Sequence, residues 1–185
     1  MKQQNFEIFL EALLTATEQI PPDYFLLPVA YEAEFIQRER HYCYELYRRI
    51  QNNLPDGFPY TLSGEINKAG HPLVAPHCGD IIPDFLVHHP GFMGPDDNLV
   101  IMEVKTIAGA NLHNENIGFL KDIKTLNCMT NIENGYFRGI VLIFGAEYSN
   151  KIEQLINVFK ERCNQERLLL IFHKNANERA TVVEY

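Results

Sequence analysis

The chain predicts an α/β fold: a mixed central sheet flanked by helices. Three observations carry the prediction. Apolar residues recur at helical spacing in four separated segments. Strand-like runs stand between them, first three in succession and then alternating with helices. The last two strands, residues 137–144 (FRGIVLIF) and 168–172 (LLLIF), are almost continuously apolar, as strands covered on both faces are. The order is therefore α-α-β-β-β-α-β-α-β, a meander followed by alternation, and that order asks for a sheet of mixed direction.

Each element has its own signal. Residues 6–20 put Phe6, Phe9, Leu10, Leu13, Leu14 and Thr17 on the 3.6-residue period, and Pro21-Pro22 ends that helix. A second helix is expected over 31–51, with Phe35, Tyr42, Leu46 and Ile50 as its buried stripe, stopping before Leu54-Pro55-Asp56-Gly57. Glu39 falls inside that stripe, four residues after Phe35 and three before Tyr42, and Glu45 is turned about 120° from Glu39. Residues 58–65 (FPYTLSGE) form the first strand, and 81–88 and 99–105 the next two, joined by a Gly/Pro-rich loop. A helix over 114–129 turns Phe119, Leu120, Ile123 and Leu126 inward, and groups Lys121, Lys124 and Thr125 on its other side. Ile152, Leu155, Ile156, Phe159 and Cys163 mark the last helix, and the tail 181–185 either pairs as an edge or frays.

The second and third strands carry charge where core strands carry none. Asp84 interrupts one; Glu103 and Lys105 interrupt the other. A buried unpaired carboxylate costs several kcal/mol, so such groups need partners or a metal. Alternation puts Leu99, Ile101, Glu103 and Lys105 on one face, with Glu103 and Lys105 roughly 6–7 Å apart. Ile82, Asp84, Leu86 and His88 share a face of the other strand. If the strands pair, Asp84 and Glu103 converge. Two carboxylates suit a hard divalent cation, and an ammonium beside them suits an anion. That set fits phosphodiester hydrolysis.

Pro83-Asp84 followed by Glu103-Val104-Lys105 resembles the PD-(D/E)xK nuclease superfamily, whose members have the restriction-endonuclease-like fold. The resemblance covers residues 31–173 as the core of one domain (1–185), with 1–22 as an added N-terminal helix for packing or dimerisation. It implies a metal-dependent nuclease, with Asp84 and Glu103 as ligands of Mg²⁺ or Mn²⁺ and Lys105 orienting the attacking water or stabilising charge. It also implies a further acidic residue from the first core helix. Glu39 is the choice for that role, as catalytic residue and third metal ligand, with Glu45 second; a helical glutamate bridged to Arg38, Arg40 or Arg48 is the plainer alternative. An acidic residue and a lysine often follow the first strand in related bacterial proteins. Glu65 is thus either another carboxylate of the site or a solvated strand end, and Lys68 a phosphate contact. Lys121 and Lys124 either touch substrate phosphate or form a solvated face. His88 is of interest because it shares the face of Asp84.

Other features narrow the function classes. A net charge of −8 argues against a large nonspecific footprint on nucleic acid, yet a site of carboxylates offset by metal accommodates it. No run reaches the roughly 18–20 apolar residues of a membrane span, and no leader-like segment follows Lys2. Cys43, Cys78, Cys128 and Cys163 are scattered with no paired motif, so reduced thiols and a cytoplasmic location are expected. His71, His77, Cys78, His88 and His89 fit no zinc-finger or ribbon spacing. The expected partner is nucleic acid, DNA first, with targeting supplied by a homodimer or a partner protein. The alternative is a nuclease-like domain without turnover that binds nucleic acid or protein.

Overall fold

A computed structural model describes residues 1–31, 35–146 and 149–183, the backbone alone at 149. The elements are α1 (Lys2–Glu18), α2 (Pro22–Phe25), β1 (Leu27–Pro28), β2 (Phe35–Ile36), α3 (Glu39–Asn53), β3 (Thr61–Gly64), α4 (Ala75–Cys78), β4 (Phe85–His88), β5 (Asn98–Thr106), α5 (Gly118–Asn131), β6 (Arg138–Phe144), α6 (Ser149–Arg162), β7 (Leu168–His173) and β8 (Thr181–Val182). The six strands from β3 to β8 form one sheet in sequence order. β3, β4 and β5 are antiparallel neighbours, β5, β6 and β7 are parallel, and β8 closes the edge antiparallel to β7. This is the mixed sheet flanked by helices that the element order asks for.

Strand alternation builds two cores. Val100, Met102, Val104, Ile140, Leu142 and Phe144 face α1, α2 and α3, where Phe6, Phe9, Leu13, Phe25, Tyr42 and Leu46 meet them. Ile101, Val141, Ile143, Leu170 and Phe172 face the opposite way, onto Phe119, Ile123 and Leu126 of α5 and Leu155 and Phe159 of α6. Each such side chain contributes about 1.5–3 kcal/mol when removed from water. β6 and β7 collect that gain on both faces, which is why their sequence shows no polar alternation. The N-terminal helix α1 packs on its own domain, mainly against α3.

Three expectations are corrected. The second helix starts at Glu39, because residues 27–28 and 35–36 pair as extended backbone; Phe35 lies on β2, is 60% exposed, and is no part of the α3 stripe. Residues 32–34 of the expected helix and 184–185 of the expected tail lie outside the described residues. β4 begins at Phe85, so Ile81 and Ile82 precede the strand and Asp84 stands at its threshold. Finally, Cys78 at the end of α4 forms a disulfide with Cys128 of α5. Only Cys43 and Cys163 are free among the described residues. The pairing arises from the docking of α4 on α5 and has no local spacing to announce it. Among the described residues, no helix is long and apolar enough to cross a membrane.

Candidate active site

Antiparallel pairing sets the start of β4 beside the end of β5: Phe85 stands opposite Met102, and the residues just beyond are Asp84 and Glu103. Their carboxyl groups are close enough that each perturbs the other's protonation. Asp84 Oδ2 also accepts the Val104 backbone N–H at 2.7 Å. Glu103 is only 8% exposed. Burial first, then the charges of Asp84 and Asp122, push its carboxyl well above the usual range. Burial also raises Asp84, although the Val104 N–H and Lys105 pull the other way. Two buried acids in contact cannot both ionise freely. A shared proton or a bound cation resolves the conflict, and two hard oxygen donors match a divalent cation.

Lys105 lies two residues past Glu103 on the same face. Its Nζ is 3.2 Å from Glu39 Oε2 and 3.5 Å from Asp122 Oδ2. Burial opposes its charge, but Asp122 and Glu39 outweigh burial and hold the ammonium above its ordinary value. Glu39 is the first residue of α3 and bridges two groups of β5, since its Oε1 accepts the Thr106 backbone N–H at 3.2 Å. It therefore reaches the site on the lysine's side and not as part of the Asp84–Glu103 pair. Among the described residues, no three His, Cys, Asp or Glu side chains are gathered to hold a metal.

Asp122 is the residue that sequence reasoning missed. It is 4% exposed, and burial pushes it up to about 7, with Lys105 only partly offsetting that rise. A signal was present. Asp122 stands three residues after Phe119 and four before Leu126, inside the apolar stripe of α5. Four carboxylates and one ammonium thus meet at one end of the sheet.

The remaining candidates fall elsewhere. Glu45 is buried and paired with Arg48 and Arg49, at 2.6 Å in each case. Glu65, in the left-handed region at φ 44°, accepts both Arg40 Nε at 2.9 Å and Arg40 Nη2 at 3.2 Å. His88 shares the face of Asp84 but lies four residues along, roughly 13 Å, with Nε2 3.2 Å from Ser63 Oγ. Burial and the nearby Lys68 depress it to about 4. Lys68 is itself buried, and its backbone N–H donates to the Ile81 carbonyl, three residues before Asp84. Lys121 and Lys124 line a separate hollow with His77, Asp80 and Glu115 beside the disulfide.

Asp84 opens onto a cleft of about 320 Å³ between α3 and the β3–β4 pair, lined by Cys43, Tyr44, Tyr47, Gly64, Glu65, Asp84 and Phe85. No family model, no curated protein and no solved structure matches the chain.

Proposed function

We propose that the chain is a metal-dependent nuclease of the restriction-endonuclease-like kind, hydrolysing phosphodiester bonds of nucleic acid, with DNA as the first substrate to test. The observation that carries the reading is the buried Asp84–Glu103 carboxyl pair, placed by adjacent strands beside an ammonium on the same face. The mixed sheet supports it, as does α5, the helix after β5, which brings Asp122 to Lys105. As hard oxygen donors, Asp84 and Glu103 would hold Mg²⁺ or Mn²⁺. When bound, such an ion polarises the phosphoryl oxygen and lowers the pKa of a water.

The chain's own residues do the rest. Lys105, with donors only, binds a phosphate oxygen and balances the charge that grows there as water attacks phosphorus and the P–O ester bond breaks. Glu39, 3.2 Å from Nζ, holds the ammonium in place and can accept the proton that the attacking water loses. Asp122 fixes the ammonium from the other side.

Three measurements test the reading: Mn²⁺-dependent melting, Mn²⁺ affinity, and cleavage of mixed DNA and RNA. Mn²⁺ is expected to stabilise the wild type by about 2.7 kcal/mol at 100 times its Kd. Asp84→Asn should abolish that shift. Lys105→Ala should keep Mn²⁺ affinity and lose turnover on the order of 10²–10³-fold. Wild-type cleavage by Lys105→Ala would sink the assignment. Metal and nucleic-acid binding without cleavage by the wild type would instead establish a binding module.

A further inference from the structure

We infer that the cleft beside Asp84 is a subsite for one unpaired nucleobase, so that the substrate strand must be single or locally opened next to the bond that is cut. The inference rests on the nuclease reading for its substrate class, and adds to it which form of nucleic acid the site accepts.

The cleft has the size and lining for such a guest. Its volume, about 320 Å³, lies at the small end of ligand pockets, room for one planar group and far too little for a duplex. Its lining is partly aromatic: Phe85 and Tyr47 lie nearly parallel at 15°, offset with their centroids 6.3 Å apart. The Tyr47 hydroxyl donates to the Leu62 carbonyl, which holds this ring still. Gly64 offers no side chain on the wall formed by β3.

The mouth carries the other half of the argument. Tyr44 lines the cleft and yet is 63% exposed. It lies one turn after Arg40 on α3. Arg40 reaches from α3 to Glu65, a residue of the cleft wall, through two hydrogen bonds, and is close enough to feel the charge of Asp84. An exposed ring beside a guanidinium is the pairing that receives bases by stacking and backbone by charge. Glu65 and Asp84 close the wall of the cleft. Because Asp84 belongs to both the cleft and the carboxyl pair, a base held here belongs to a nucleotide adjoining the attacked phosphorus. Other apolar guests lack a reason to sit between Arg40 and Asp84.

The chain contains no tryptophan, so Tyr44→Trp creates a single indole that reports stacking directly. In Lys105→Ala protein with Mn²⁺, oligothymidylate and oligocytidylate single strands are expected to quench this indole, and a blunt duplex of equal length is not. Tyr44→Ala should reduce the preference for single strand over duplex, measured by anisotropy of labelled oligonucleotides, on the order of tenfold, as loss of one stacked base does. Tyr44→Phe should retain it. Equal quenching by duplex and single strand, no quenching by either, or a preference that survives Tyr44→Ala would each overturn the inference. These outcomes are read from binding alone. The nuclease reading stands or falls separately, on whether Asp84→Asn and Lys105→Ala lose cleavage.

Discussion

Asp122 is one of three carboxyls of the site that burial raises, with Asp84 and Glu103. Burial lifts its carboxyl from 3.8 to about 7. Between those values the folded chain keeps a proton that the unfolded chain releases. By linkage, stability then falls as pH rises through that window, the reverse of the usual salt-bridged aspartate. Without metal, this one carboxyl is expected to withdraw on the order of a few kcal/mol between about pH 4 and 7. Asp122→Asn should show a shallower slope in urea unfolding at a series of pH values. A slope unchanged by the substitution would remove Asp122 from this role. Residue by residue, the sequence was most legible where charge broke an apolar strand. Asp84, Glu103 and Lys105 stand out because the runs around them are mostly hydrophobic. Asp122 obeys the same rule on a helix, where polar residues are common enough to hide one that is buried. Glu45 was hidden likewise, because the supposed stripe was anchored on Phe35, which belongs to β2.

Two elements meet at Glu39: the start of α3 and the loop after β5. A Cβ at Gly109 would stand 2.8 Å from Thr106 Oγ1 and 2.9 Å from Glu39 Oε1. The glycine is therefore what lets the loop pass close to that carboxylate. Gly109→Ala is expected to push Glu39 off Lys105 by swinging the flexible end of its side chain. Small displacements at a reacting centre are costly, so kcat/KM should fall on the order of 10-fold to 100-fold while Tm changes little. Parallel steady-state kinetics and thermal melts check both halves, and an unaltered kcat/KM would show that Glu39 does not need this position. At this scale the long elements were legible from periodicity, since each presents several turns or alternations to read. The short ones, α2, α4, β1 and β2, span two to four residues and offer no period. Their pairing partners are set by tertiary contact, which is also why β4 starts later than its apolar run.

Taken whole, the molecule combines two cores on a single sheet with one cross-link between α4 and α5. The mixed direction of the sheet was legible because three strands precede the first strand–helix alternation. The cross-link was not, since Cys78 and Cys128 stand 50 residues apart. Closing a loop of that length removes unfolded-state entropy equivalent to about 4 kcal/mol. The Cys78→Ser, Cys128→Ser double variant is therefore expected to unfold at lower urea, with a free-energy loss approaching that figure. An unchanged midpoint would mean that the bond adds nothing to equilibrium stability.

The same bond gives the site a covalent perimeter. Asp84, Glu103, Lys105 and Asp122 all lie between Cys78 and Cys128, inside one macrocycle. Glu39, Tyr44 and Arg40 lie outside it, on α3. The carboxyl pair and its ammonium thus belong to a closed ring, while the groups that would grip the strand come from a separate span of chain. A single backbone break anywhere within that ring would leave its two pieces joined through sulfur.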